Sequence, residues 1–311
     1  MKIAIVGCGA MGSIYAARLA EAGHQVRAVD MWTEHVAAIN AGGLRVDGPS
    51  GTLLSRQVEA MEDLSRAGPC DLYILATKAA GVEPAARAIA ATMPEHALVL
   101  TIQNGLGAGE RIARHLPADR VLLGVAEGFG AAMVGPGHAR HTAMKLIRLG
   151  AMTGGDDPRL EQVAGIWRSG GFEVETFADI DRLIWEKLLC NVTLSAPCTA
   201  FGCTVADLRA DPERWAVALG CMAEAYAIGR ARGVAFSFDD PVAYVTAFAE
   251  RVGTAKPSML QDHEARRRSE LAAINGAIPP LGAALGIATP YNDTLCAVIR
   301  AREAVFEGER T

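Results

Sequence analysis

The stretch "KIAIVGCGAMGSIYAARLAEAGHQVRAVD", residues 2–30, decides the fold of the first half of the chain. "KIAIV" is a short β-branched run that predicts a buried strand, and "SIYAARLAEAGH" has the periodicity of a helix. "QVRAVD" then predicts a second strand ending at Asp30. A strand, a glycine turn, a helix and a second strand within about 30 residues are typical of one βαβ unit of a parallel sheet.

The turn of this unit, "GCGAMG" at residues 7–12, has the G-x-G-x-x-G spacing of dinucleotide-binding domains. The first glycine makes the tight turn, the second lets the backbone approach a pyrophosphate, and the third lets the helix pack close to the strand. The N-terminus of the helix offers free N–H groups and a positive dipole end to the phosphates. We therefore expect the cofactor to be held by Gly7, Cys8, Gly9, Ala10, Met11 and Gly12.

Asp30 bears on the type of dinucleotide. A carboxylate at the end of the second strand accepts hydrogen bonds from the ribose hydroxyls, and it repels a 2′-phosphate. Met31 and Trp32 follow Asp30, whereas Arg27 and Arg45 are the arginines that would have to swing in to bind such a phosphate. The sequence predicts NAD(H) or NADP(H), and Asp30 favours NAD(H).

Two further strands are predicted, and both end on polar residues. "DLYILATKA" (71–79) carries Lys78 at its end, and "ALVLTIQNGLG" (97–107) carries Asn104. Ligands of open parallel sheets gather at the carboxyl ends of the strands, so we expect both residues to contact the cofactor.

The remaining pattern divides the chain in two. Strand-like runs over residues 121–152 predict antiparallel strands that close the sheet, and "GFEVETF" (171–177) predicts one more. After residue 178 the pattern is helical, with breaks expected at Pro197, Pro212, Pro241, Pro257 and Pro279-Pro280. We predict an α/β, Rossmann-type dinucleotide-binding domain over residues 1–177 and an all-α domain over residues 178–311, with an active site between them.

The first helix of the second half, "LIWEKLLCNVTLSAP" at residues 183–197, carries a polar stripe. Lys187, Asn191 and Ser195 follow one another at intervals of four, which places them along one drifting face of a helix. An ammonium on an apolar helix is suited to protonate an oxygen on which negative charge develops, because burial lowers its pKa. This stripe is the expected catalytic face.

Composition and charge exclude several classes of protein. The chain is 50% hydrophobic and 21% charged with a net charge of −5, so there is no electrostatic case for a nucleic-acid or membrane partner. Seven scattered cysteines without a C-x-x-C pair favour buried thiols in the cytoplasm, and seven dispersed histidines give no metal site. No apolar run is long enough to span a bilayer.

Several short motifs occur in order along both halves. They are "GCGAMG" (7–12), "TKA" (77–79), "QNGLG" (103–107), "WEKLLCN" (185–191), and "SMLQD" with "SELAAING" (258–276). With these motifs the chain resembles the ketopantoate reductase (2-dehydropantoate 2-reductase) family from end to end. The resemblance implies hydride transfer from NAD(P)H to a small 2-oxo acid, giving a D-2-hydroxy acid. The reaction of its best-known member serves pantothenate biosynthesis.

The resemblance also implies roles for individual residues. Lys187 and Glu270 correspond to catalytic positions, Asn191, Ser195, Ser258 and Asn104 to substrate-binding positions, and Lys78 and Asn104 to cofactor contacts. On one straight helix Ser258 and Glu270 would lie about 18 Å apart. We therefore predict a bend between them and a new helix starting near residue 269, capped by Ser269.

Two departures leave alternatives open. Ser195 stands where the family commonly carries a second asparagine, and Asp30-Met31 replaces the arginine of NADPH-binding members. The chain could therefore be an NAD-linked D-2-hydroxyacid dehydrogenase of the same family. A further alternative is an enzyme similar to β-hydroxyacid dehydrogenases or imine reductases. Another is a redox sensor that binds the cofactor without turnover. The apolar helical half leaves a homodimer open.

Overall fold

A computed structural model describes residues 1–49, 51–128, 130–143 and 146–308. The chain forms two compact units, of which the first comprises Met1–Gln103 and Ala108–Ile180. The second comprises Asn104–Gly107 and the chain from Asp181 onward. The predicted fold class is confirmed, since an α/β unit with a largely parallel sheet is followed by a helical one. The prediction assigned residues 104–107 to the first domain, whereas the structure groups them with the helices.

The α/β unit contains all the strands among the described residues. They are β1 (Lys2–Val6), β2 (Gln25–Val29), β3 (Leu44–Gly48), β4 (Gly51–Ser55), β5 (Val58–Met61), β6 (Leu72–Leu75), β7 (Leu98–Thr101), β8 (Val121–Glu127), β9 (Gly130–Gly135), β10 (His138–Ala143), β11 (Leu146–Ala151) and β12 (Val174–Phe177). Its helices are α1 (Ala10–Glu21), α2 (Thr33–Gly42), α3 (Val82–Ala90), α4 (Ala108–Ala113) and α5 (Pro158–Ser169).

The main sheet has the order β12-β11-β8-β7-β6-β1-β2-β5. The six strands from β8 to β5 run parallel, and β11 pairs antiparallel with β8. The sheet reverses its winding between β1 and β6, which is where open parallel sheets bind ligands. The carboxyl ends of β1, β2, β6 and β7 therefore share the edge that carries the glycine loop, Asp30 and residues 76–78.

A second, four-stranded sheet has the order β4-β3-β10-β9 and corrects one prediction. β8 and β11 do extend the main sheet, but β9 and β10 leave it and pair with each other, and β10 also pairs with β3. Alternating residues predict a strand but not its partner, because pairing depends on contacts distant in sequence. β3, β4 and β5 are absent from the sequence analysis. Phe129 and Lys145, which it placed in strands, lie outside the described residues.

The helical unit begins with the long helix that the sequence predicted. Its helices are α6 (Asp181–Phe201), α7 (Val205–Ala210), α8 (Pro212–Ala231), α9 (Pro241–Val252), α10 (Ser258–Glu264), α11 (Ile278–Leu285) and α12 (Pro290–Gly308). α6 buries Trp185, Leu188, Leu189 and Val192 in the core of this unit. Among the described residues, no helix combines the length and apolarity that a membrane span requires.

Prolines mark helix starts more often than helix breaks. Pro212 and Pro241 are the first residues of α8 and α9, and each follows an aspartate whose carboxylate accepts first-turn N–H groups. A proline at this position loses no hydrogen bond, because its N–H would have no partner within the helix. The expected break at Pro197 is wrong, since Pro197 lies inside α6.

Candidate active site

The glycine loop lies between β1 and α1, as the fingerprint requires. Gly7 has φ +92°, and a Cβ on it would lie 2.5 Å from the backbone nitrogen of Thr77. A Cβ on Gly12 would overlap the carbonyl oxygen of Gly7, so α1 packs directly onto the turn. A Cβ on Gly9 would meet nothing within 4 Å. Gly7 and Gly12 thus serve the packing of the protein itself, and Gly9 leaves an open approach to the backbone.

The start of α1 is suited to bind a phosphate. Gly9 is the N-cap residue of α1, and no side chain accepts the first N–H groups of this helix. The first N–H groups of a helix have no partner within it, and they attract anions together with the helix dipole. Burial raises the pKa of the neighbouring Cys8 thiol to about 12, so this thiol stays neutral and adds no negative charge.

Asp30 joins the glycine loop to the end of β2. One carboxylate oxygen, Oδ2, accepts the N–H of Cys8 at 2.7 Å, and Oδ1 accepts the N–H of Trp32 at 3.0 Å. A carboxylate has about four acceptor positions, so capacity remains for two ribose hydroxyls.

The two arginines that would accommodate a 2′-phosphate are engaged elsewhere. Arg27 donates to the carbonyl of Ala67 and pairs with Glu59 at 3.4 Å. Arg45 pairs with Asp47 at 2.9 Å. Neither guanidinium contacts Asp30 in the structure as described.

The ends of β6 and β7 are tied together by a residue that the sequence analysis passed over. The amide of Gln103 donates to the carbonyls of Leu75 at 2.9 Å and Thr77 at 3.2 Å. Lys78 follows on the surface, where its backbone carbonyl accepts the N–H of Gly81. The hydroxyl of Thr77 is buried and has no hydrogen-bond partner among the described residues. Thr77 is a further candidate cofactor contact, and in the sequence only its place in the "TKA" motif pointed to it.

Asn104 lies in a segment that packs on the helical unit. Gly105 has φ +84°, and a Cβ there would overlap the carbonyl of Ala273. The N–H of Leu106 donates to the same carbonyl at 2.8 Å. Half-buried Asn104 is therefore held next to the turn that follows Glu270, although sequence periodicity placed it at a strand end.

α6 carries the predicted polar stripe. Lys187 and Asn191 are half-buried, and Ser195 is buried. The amide nitrogen Nδ2 of Asn191 is buried without an acceptor among the described residues. Leaving such a donor unpaired costs about 1–3 kcal/mol, a cost that a bound ligand oxygen would remove. Asn191 lies one helical turn after Lys187 on α6.

Ser258 and Glu270 are separated by the predicted bend, but the predicted helix is not formed. α10 ends at Glu264, Arg266 has φ +51°, and a 3₁₀ turn covers Leu271–Ala273. Ser269 does not cap a helix, because its hydroxyl donates to the Glu303 carboxylate at 2.6 Å.

The carboxylate of Glu303 holds the segment before Glu270. Besides the Ser269 hydroxyl it accepts the backbone N–H of Ser269 at 2.8 Å, and it lies 3.1 Å from Nε2 of His263. α10 packs against α6, and so does the chain just after Glu270, through the buried side chain of Asn275. The helical unit therefore packs the segments that carry Ser258 and Glu270 against α6, the helix of Lys187 and Asn191.

The residues fit a nicotinamide dinucleotide and a small oxo acid. The α/β unit offers an open glycine turn, an uncapped helix start, a ribose-binding carboxylate and an unpaired hydroxyl. The helical unit offers an ammonium and an unpaired amide donor one turn apart. These are the groups that binding a dinucleotide and stabilising a developing alkoxide require.

Comparison with known proteins agrees with this chemistry. The sequence matches the profile described as ketopantoate reductase PanE/ApbA over residues 3–154, and the profile of its C-terminal domain over residues 179–303. It is 31% identical over 300 residues to 2-dehydropantoate 2-reductase of Halobacterium salinarum, covering 96% of this chain and 98% of that protein. The chain belongs to the ketopantoate reductase family.

Solved structures of the ketopantoate reductase family and of a relative have the same fold. A PanE/ApbA family ketopantoate reductase from Ralstonia eutropha JMP134 has a TM-score of 0.91 and 32% identity, with 99% of this chain and 100% of that chain covered. D-mandelate dehydrogenase in a ternary structure with NADH and anilino(oxo)acetate has a TM-score of 0.88 and 26% identity, with 99% of both chains covered.

Proposed function

We propose that this chain is an NAD(P)H-dependent 2-oxo acid reductase that converts ketopantoate to pantoate, a D-2-hydroxy acid. The observation that carries the proposal is the buried Nδ2 of Asn191, which has no acceptor among the described residues and belongs to the residue one turn after Lys187 on α6. Membership of the ketopantoate reductase family supplies the substrate class.

The proposed mechanism assigns one task to each polar group. When bound, the reduced dinucleotide supplies a hydride to the ketone carbon. The ammonium of Lys187 donates a proton to the ketone oxygen as negative charge develops there, and solvent restores that proton. Asn191 donates its amide N–H to the substrate and orients it, and Ser258 donates to the substrate carboxylate. Glu270 holds Lys187 or the product hydroxyl in place.

Initial rates with a panel of 2-oxo acids test this function. We expect ketopantoate to be reduced with a kcat/KM at least about tenfold above those of phenylglyoxylate and pyruvate, because pocket contacts discriminate by about that factor or more. Cofactor binding without turnover of any 2-oxo acid would favour the redox-sensor alternative. Turnover of imines or β-hydroxy acids alone would favour the other enzyme class.

An NAD-linked D-2-hydroxyacid dehydrogenase is the second candidate function. Ser195 is shorter than the asparagine common in the family, which leaves more room for a bulky acyl group. D-mandelate dehydrogenase, a structural relative, is named after a 2-hydroxy acid with a bulky aromatic group.

Ser195→Asn is expected to shift selectivity toward ketopantoate. The longer side chain restores a hydrogen-bonding amide and fills space, so the ratio of kcat/KM for ketopantoate to that for phenylglyoxylate should rise by about tenfold. Ser195→Ala serves as the control that removes the hydroxyl without adding volume. An equal ratio in all three proteins would remove Ser195 from the substrate pocket.

We further propose that NADH is the preferred cofactor. The support is the spare acceptor capacity of Asp30 and the engagement of Arg27 and Arg45 by other groups.

Asp30→Asn tests this preference. The amide oxygen still accepts the N–H of Cys8, but the charge that repels a 2′-phosphate is gone. We expect the kcat/KM ratio of NADPH to NADH to rise by about tenfold, or about 1.4 kcal/mol. Glu34→Gln makes the same charge change in the exposed first turn of α2 and should leave the ratio unchanged. Equal shifts in both variants would contradict a specific role for Asp30.

Two further proposals concern the cellular location and the oligomeric state. All seven cysteines are free thiols, as in a reducing compartment, and we propose a cytoplasmic location. We also propose a homodimer formed through the helical half of the chain.

A further inference from the structure

α6 continues through Pro197, although a proline inside a helix normally breaks or kinks it. Proline has no N–H to donate, and its ring crowds the carbonyl of residue i−4, here Thr193. α6 nevertheless extends to Phe201. The turn just before Pro197 is where a side chain from elsewhere in the helical unit joins the helix.

The side-chain amide of Asn275 binds two backbone groups of α6 that lie one helical turn apart. Its Oδ1 accepts the N–H of Ala196 at 3.3 Å, and its Nδ2 donates to the carbonyl of Val192 at 2.9 Å. In an unbroken helix these two backbone groups pair with each other. The fully buried amide therefore binds α6 within the turn that separates Asn191 from Ser195.

A buried chain of polar groups fixes the orientation of this amide. Nδ2 of Asn275 also donates to Oδ1 of Asn292 at 2.9 Å. Nδ2 of Asn292 donates to Oε2 of Glu224 at 2.6 Å and to the Cys221 carbonyl at 3.1 Å. A carboxylate only accepts, so it selects which end of Asn292 faces it, and Asn292 selects which end of Asn275 faces α6.

The chain is also anchored and fully paired at its far end. Glu224, on α8, accepts the backbone N–H groups of Tyr291 at 2.7 Å and Asn292 at 3.0 Å, which lie in the first turn of α12. Each amide nitrogen of the chain has two acceptors, and each acceptor oxygen has at least one donor. A buried network with every member satisfied is rigid, and removing one member leaves unpaired groups behind.

We propose that Asn275 is a positioning residue for the substrate-binding face of α6, a role that rests on the proposed function. Asn191 directly precedes Val192, and Ser195 directly precedes Ala196. The spacing of the two side chains along α6 is therefore set by the Asn275 bridge. A misplacement of about 1 Å at a substrate contact costs up to about 10²-fold in rate, so the bridge controls how tightly the 2-oxo acid is held.

Asn275→Ala tests the proposal by kinetics and by crystallography. Without the amide, α6 loses both contacts of this turn, and the distance between the Cα atoms of Asn191 and Ser195 should change by about 0.5 Å, the tolerance of a working site. KM for the 2-oxo acid should rise by about tenfold, with an unchanged Kd for the dinucleotide. The crystal structure is informative even if the wild-type protein reduces no 2-oxo acid, so failure of the proposed function is recognised separately.

Two further variants keep the test decisive. Ile299→Ala truncates a fully buried residue of α12 in the same core and lowers stability without touching the amide chain, so its KM should stay within about twofold of wild type. Glu224→Gln keeps the shape but removes the group that orients the chain, and its KM should rise by about threefold. If Asn275→Ala does not fold, Glu224→Gln decides. An unchanged Cα spacing, or an equal rise of KM in Ile299→Ala, would overturn the proposal.

Discussion

Lys187→Ala is expected to lower kcat for ketopantoate by about 10³-fold, within the range that a positioned general acid contributes. Alanine removes the only group on the polar stripe of α6 that can deliver a proton to the ketone oxygen. The dinucleotide should bind with unchanged affinity, since its expected contacts lie in the glycine loop and at Asp30. Steady-state rates and a fluorescence titration with NADH measure the two quantities.

Lys187→Arg separates charge from proton transfer. Arginine keeps the positive charge but does not give up its proton in proteins, so turnover should stay low. Lys256→Ala removes an exposed lysine paired with Glu264 and should retain full activity. If Lys187→Ala kept kcat within about threefold of wild type, the general-acid role would be lost, because that role is worth at least about 10²-fold.

Gly9→Ala and Gly12→Ala are expected to fail in different ways. A Cβ on Gly9 meets nothing in the protein, so this variant should fold with nearly unchanged Tm. It should nevertheless lose dinucleotide affinity by about 10²-fold, about 2.7 kcal/mol, because the methyl group occupies the approach to the pyrophosphate. A Cβ on Gly12 overlaps the Gly7 carbonyl, so that variant should lose thermal stability as well.

Gly165→Ala is the matched control for the glycine pair. Gly165 lies in α5, and a Cβ there also meets nothing within 4 Å. This variant should keep both Tm and NADH affinity, or gain slightly in Tm from the higher helix propensity of alanine. Full NADH affinity in Gly9→Ala, measured by titration calorimetry, would mean that no phosphate approaches the loop at this position.

The fold was predictable where local pattern and function coincide. The glycine loop, β1, β2 and α6 follow from periodicity and turn chemistry within short windows. The second sheet was not predictable, because β10 pairs with β3 across about 90 residues and neither strand specifies its partner. The predicted break at Pro197 is wrong for a similar reason. The helix just before Pro197 is bound by the side-chain amide of Asn275, which lies nearly 80 residues further along the chain.

The candidate site was predictable by residue type more than by geometry. Lys187 and Asn191 are visible as polar residues at helical spacing in an apolar segment. The helix expected at residue 269 is absent because Glu303 binds Ser269, a contact that no local pattern contains. Thr77 and Gln103 lie within motifs that were noted, but only the structure shows a buried unpaired hydroxyl and a strand-bridging amide.

The most direct test of the central claim follows the hydride itself. Reduced dinucleotide carrying deuterium at both C4 positions of the nicotinamide is incubated with ketopantoate and the protein, and the product is analysed by mass spectrometry and chiral chromatography. We expect D-pantoate with one deuterium at C2, and almost no product with Lys187→Ala. Unlabelled pantoate would contradict this mechanism. So would dinucleotide that remains reduced in the presence of ketopantoate although the wild-type protein binds it.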